Sequence, residues 1–107
     1  MATTQMKLAA DQFDLMAVGS KTIEIRLHDP KRQSIQVGDT IRFVNLADAS
    51  QVLEKRVRGH RLFPTFAALY HAYSPVSVGS QPQMVQATYT IYTIEQERRW
   101  GTMAIEV

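Results

Sequence analysis

Between residues 19 and 43, two alternating apolar segments are separated by strong chain breaks, a pattern that no continuous helix can satisfy. Ile23, Ile25 and Leu27 fall on every second position, with Thr22, Glu24 and Arg26 between them. Side chains alternate sides along a strand, and isoleucine favours one, so residues 21–27 read as a strand with an apolar and a polar face. Asp29-Pro30 breaks it, and residues 31–34 have room for a single helical turn. Val37-Gly38-Asp39 reads as a turn, and residues 40–46 as a second strand with Ile41 and Phe43 on one face.

The rest of the chain is read in the same way. In residues 10–18, Phe13, Met16 and Ala17 are at helical spacing, Asp11 and Asp14 stand in the early turns, and Gly19 is a natural stop. Residues 52–62 are long enough for one strand that bends at Gly59. Pro64 suits a helix start, and Phe66, Leu69, Tyr70 and Tyr73 then make an apolar stripe. Residues 74–83 look like a loop, and residues 84–92 lean towards strand on their β-branched and tyrosine content. Thr93 with Gln96 forms a capping-box pattern for a helix over 94–100, which Gly101 ends. The closing residues read as a strand with Met103, Ile105 and Val107 facing in. Four to six strands and three or four short helices predict an α+β domain, built on a small bent antiparallel or mixed sheet or a barrel with helices across its openings.

A chain of 107 residues with 45% apolar content suits one domain, over 1–107, with a small core. It has no cysteine, which excludes disulfides, thiolate metal sites and a cysteine nucleophile. No run of roughly 18 apolar residues suggests a membrane span, and the start lacks the pattern of a signal peptide, so a cytoplasmic protein is expected. His28, His60 and His71 lack metal-ligand spacing, and neither a metal nor another cofactor is expected. The net charge of +2 is modest, but its distribution is uneven. Between Lys55 and Ile94 there is no acid, while Lys55, Arg56, Arg58 and Arg61 all fall there. Such a run attracts polyanions, unless folding interleaves it with acids such as Glu24 or Glu54.

The polar face of the first strand carries the chemistry. Side chains two apart on a strand lie about 6.5–7 Å from each other, so Thr22, Glu24 and Arg26 form a row that a nucleotide can span. Arg26 has the donor fork for a phosphate or carboxylate, and Glu24 is able to accept from a base amine or to pair with Arg26. Lys21 starts the strand, where its long stem reaches either face. Tyr70 and Tyr73 are able to stack on bases, although their spacing with Phe66 also suits core packing. The competing interpretation is a solvated strand face with a Glu–Arg pair worth under about 1 kcal/mol.

These residues resemble the signature of the ASCH domain family: Gly19-Ser-Lys21-Thr22, an alternating strand ending in Arg26, a short basic segment, and Val37-Gly38-Asp39 before a further strand. The stretch RLFPTFAALY is similar to the family's Phe-Pro-Ser-Phe-x-x-Leu helix, and WGTMAIEV resembles its closing Tyr-Gly-x-x-x-Ile. The resemblance implies a PUA-like β-barrel and an RNA or nucleotide/nucleoside ligand in a cleft lined by Lys21, Glu24 and Arg26. On that picture Thr22 and Tyr70 also contribute to the ligand site, and Arg58 and Arg61 grip backbone phosphate. One branch of the family is an acetylcytidine amidohydrolase with a Lys, a Thr nucleophile and a Glu. Lys21 matches the lysine, but Glu24 occupies the nucleophile position, and no carboxylate stands between Glu54 and Glu95 to supply the acid. Other members have been proposed as ribonucleases, which would make Lys21 and Glu24 the catalytic pair. A carboxylate beside a lysine is a weak base near neutral pH, so binding ranks above hydrolysis.

Overall fold

The computed structural model describes residues 2–79, 88, 89 and 91–107. Among these residues six strands form two three-stranded sheets. The first sheet has the order β1-β3-β4, with β1 Thr3–Leu8 parallel to β3 Thr40–Asn45, and β4 Val52–Arg56 antiparallel to β3. The second has the order β2-β6-β5, with β6 Thr102–Glu106 antiparallel to both β2 Ile23–Leu27 and β5 Gly59–Phe63.

The two sheets enclose one apolar cluster. Met6 and Leu8 of β1, Ile41 and Phe43 of β3, and Met103 and Ile105 of β6 meet there, joined by Ile35, Val57 and the Phe13 and Met16 of helix α1 Ala10–Ala17. A short helix, α2 Pro30–Gln33, follows β2. The other face of the second sheet is covered by α3 Phe66–Ala72 and α4 Pro75–Val78. Ile23, Leu69, Val78 and Ala104 form a second cluster there. Strand β6 is therefore buried on both faces, which is why Thr102 and Ala104 are as inaccessible as Met103 and Ile105. The last helix, α5 Ile94–Trp100, carries the full capping box between Thr93 and Gln96 that its sequence predicts.

Several expectations are corrected. Residues 52–62 are not one bent strand. They form β4 and β5 in different sheets, because Val57 turns into the core and the chain passes from one sheet to the other. The amide of Val57 bonds the Asp39 carbonyl at 2.8 Å, and the next amide, of Arg58, bonds the Glu106 carbonyl at 2.8 Å, so the corner belongs to both sheets. Strand β1 carries no strong period-two signal and was not expected. Its partner β3 and the Asp39 carboxylate, which accepts the Ala2 amide at 3.1 Å, hold it. Pro64 precedes the cap of α3 rather than opening the helix, since Thr65 is the cap and receives the Ala68 amide. Residues 75–78 form a helical turn inside the expected loop. Thr88, Tyr89 and Ile91 are helical where strand was favoured, and residues 80–87 and 90 lie outside the described residues. No closed barrel forms among the described residues. No described helix is long and apolar enough to cross a membrane.

Candidate functional site

The sheets join covalently where β4 runs into β5, but their other edges, β1 and β2, form no ladder with each other. A cleft of about 350 Å³ opens beside this seam. Lys7, Leu8 and Ala9 line it from the end of β1, Lys21, Glu24, Ile25 and Arg26 from β2 and its approach, and Tyr70 from α3. Val78, Thr88, Ile91 and Tyr92 contribute further walls.

The register explains why the polar face of β2 is not wet. Glu24 stands opposite Ile105 and Arg26 opposite Met103, and both partners lie in the cluster between the sheets. The polar row therefore looks into the open end of the inter-sheet space, as the alternation requires, but that end is shielded. Glu24 and Lys21 are each only 4% exposed. Buried charges need partners, and these supply one another. Glu24 Oε1 accepts the Ile25 amide at 3.1 Å and lies 3.3 Å from Lys21 Nζ. Glu24 Oε2 accepts from Arg26 Nε at 3.1 Å and Nη2 at 2.8 Å. Lys21 Nζ also donates to the Val78 carbonyl at 2.9 Å, and Arg26 Nη2 crosses the seam to the Lys7 carbonyl at 2.7 Å. A side chain thus bridges the edge that the backbone leaves open.

Electrostatics follow from this packing. Burial pulls the Arg26 guanidinium down, but the charge of Glu24 and a hydrogen bond with Tyr92 more than offset it and leave Arg26 above its ordinary value. Burial pushes the Tyr70 phenol up; its 2.9 Å hydrogen bond with Thr88 counters this, and the negative field of Glu24 adds to it. Two cations and one carboxylate give the floor a formal charge of +1, under walls made largely of apolar and tyrosine side chains.

Of the residues expected at the site, the structure brings together Lys21, Glu24, Arg26 and Tyr70. Thr22 is exposed and outside the lining; its amide donates to the Ser77 carbonyl at 2.9 Å. Arg58 and Arg61 are exposed on the far side of the second sheet's order from β2, and Arg61 lies over the Phe63 ring at 5.0 Å. The basic run is not interleaved with acids: among the described residues the ion pairs are Lys21–Glu24, Arg26–Glu24 and Arg32–Asp29. Sequence reasoning missed the carbonyls of Lys7 and Val78 and the walls from Thr88, Ile91 and Tyr92. It also missed Gly79, whose φ of +67° ends α4; a Cβ there would come 2.5 Å from Gln12 Oε1 and 3.3 Å from Lys21 Cδ. A signal for that turn was present in Ser74-Pro75 and Gly79, the start and stop marks of a one-turn helix.

The model of the ASCH domain matches residues 6–107. The chain belongs to the ASCH domain family. Two solved structures are similar to this ASCH chain along nearly all of it. The crystal structure of hypothetical protein PH0355 shares 29% identity, with 99% of this chain and 96% of that one aligned at a TM-score of 0.85. The solution NMR structure of protein PF0455 from Pyrococcus furiosus shares 27% identity, with 97% and 94% aligned at a TM-score of 0.72. No curated protein matches the chain. The signature that suggested the ASCH family, residues 19–39, supplies in this fold the cleft floor and the turn that leads into β3.

Proposed function

We propose that this ASCH protein is a cytoplasmic, single-domain RNA- or nucleotide-binding protein. Its seam cleft takes one nucleotide unit, in a fold that is a PUA-like barrel left open between β1 and β2. The observation that carries this reading is the Lys21–Glu24–Arg26 cluster, its Lys21 and Glu24 buried and its Arg26 partly so, net positive, at the floor of a cleft walled by apolar residues and by Tyr70 and Tyr92. Aromatic and apolar walls suit a base, and cationic donors suit its acceptor atoms or a phosphate. Arg58 and Arg61, outside the cleft, grip backbone phosphate as the strand leaves it. A hydrolase in the same cleft is the second reading. It ranks lower because three hydrogen bonds and the Lys21 ion pair already engage the Glu24 carboxylate, which makes it a poor base for a substrate proton.

The test is fluorescence anisotropy of a short labelled single-stranded RNA at low and moderate salt, beside Arg26→Ala and a double Arg58→Ala/Arg61→Ala variant. Saturable binding, weakened by salt and by Arg26→Ala, is expected. Binding indifferent to Arg26→Ala would take the RNA away from the cleft, and no binding at low salt would sink the RNA reading.

A further inference from the structure

The hydrogen-bond inventory of the cleft floor limits what a ligand can present to it. A carboxylate has about four lone-pair directions. Glu24 has three of them taken by hydrogen bonds from the Ile25 amide and from Nε and Nη2 of Arg26, and Lys21 Nζ stands 3.3 Å from its Oε1 as an ion pair. The neighbouring carbonyls of Val78 and Lys7 already receive from the same two cations. The donors, by contrast, are not exhausted. An ammonium has three N–H groups; Lys21 donates one to the Val78 carbonyl and stands 3.3 Å from Glu24 as an ion pair. A guanidinium has five; Nε and Nη2 of Arg26 supply three to Glu24 and Lys7, and Tyr92 engages the group as well. At least one N–H on each cation remains for a ligand. Acceptors left on the lining, such as the Gln12 amide oxygen and the tyrosine hydroxyls, are neutral, so every charge-assisted bond at the floor is donated by the protein.

We infer that the floor selects nucleobases by an oxo group rather than by an exocyclic amine; this rests on the nucleotide reading above. An oxo group at the floor receives from Lys21 and Arg26 together. An amine in the same place meets two cations and a carboxylate already engaged by three hydrogen bonds and an ion pair, so its desolvated N–H groups are poorly paired. Glu24 thus acts as a positioning residue: it fixes the two donors instead of reading the base.

Isothermal titration of the intact protein with two pairs of nucleoside monophosphates tests this. Inosine differs from adenosine, and uridine from cytidine, by an oxo group in place of an amine, with the accompanying ring proton. The oxo member of each pair is expected to bind about tenfold more tightly. In Lys21→Met, which keeps the apolar stem and removes the donor, the ratio falls towards one, with circular dichroism checking the fold. Equal affinities within both pairs, or tighter binding of the amines, would overturn oxo selection and leave nucleotide binding standing. A tenfold ratio that survives both Lys21→Met and Arg26→Leu would also overturn it. If none of the four binds at millimolar concentration, the nucleotide reading itself fails.

Discussion

The two places where the sheets of this protein meet are closed by different means. Where β4 runs into β5, the backbone itself makes the corner: Val57 is fully buried, and the amides of Val57 and Arg58 bond to the carbonyls of Asp39, just before β3, and of Glu106 in β6. Where β1 faces β2, no ladder forms, and the Arg26 guanidinium reaches across to the Lys7 carbonyl. A backbone corner packs to crystal-like density and leaves no room for a guest. A side-chain bridge leaves space beside it, and the charges that make the bridge become the floor of a cleft. The same chain therefore keeps a closed corner and an open cleft apart.

Breaking the seam chemically gives the largest expected effect. Glu24→Ala leaves Lys21 and Arg26 buried without their shared acceptor, and urea melts should register a loss of about 3–5 kcal/mol. Adding Lys21→Met to Glu24→Leu should recover part of it; a single variant as stable as wild type would mean that the cluster is more hydrated than its burial implies. The corner is expected to behave differently. Val57→Ala removes apolar volume from a packed site and should cost about 1–3 kcal/mol in the same melts while leaving RNA affinity unchanged. If affinity fell as well, the corner and the seam would not be independent.

Arg26→Ala sharpens the comparison from the binding side. RNA affinity should fall about tenfold and the slope of log affinity against log salt should shrink by about one. Arg58→Ala should lower that slope by a similar step with a smaller loss of affinity and no change in stability, since the side chain is exposed. The smallest effect concerns the packing next to the cleft wall. A hydrogen bond to Glu97 pushes the Tyr89 phenol up to about 12, and the same Glu97 oxygen receives the Phe66 amide at 2.8 Å. An unfolded tyrosine ionises near about pH 10, so the folded chain holds this proton longer. The contribution is complete below about pH 10 and is lost as pH rises through about 12. Tyr89→Phe should lack that alkaline loss, a difference that chemical melts at about pH 9 and about pH 11 would resolve. Phe66, stacked on Tyr92 at 5.4 Å and edge-on to Tyr89 at 6.0 Å, carries the same wall.

The sequence by itself determined several local elements and singled out three charged residues of the cleft floor. Alternation in residues 21–27 gave β2 and put Glu24 and Arg26 on one face, and the Thr93/Gln96 box gave α5, because strand and cap preferences act over a few neighbouring residues. The family signature brought Lys21, Glu24 and Arg26 forward as a set. Only the tertiary structure decided that their face is shielded, since that depends on β6 placing Met103 and Ile105 opposite them from 77 or more residues away. It also decided that β4 and β5 belong to separate sheets, and that β1, with no strong period of its own, is held by β3. Which strand edges find each other is settled by long-range burial and pairing, and a local pattern records which way a side chain points without recording what stands there to meet it.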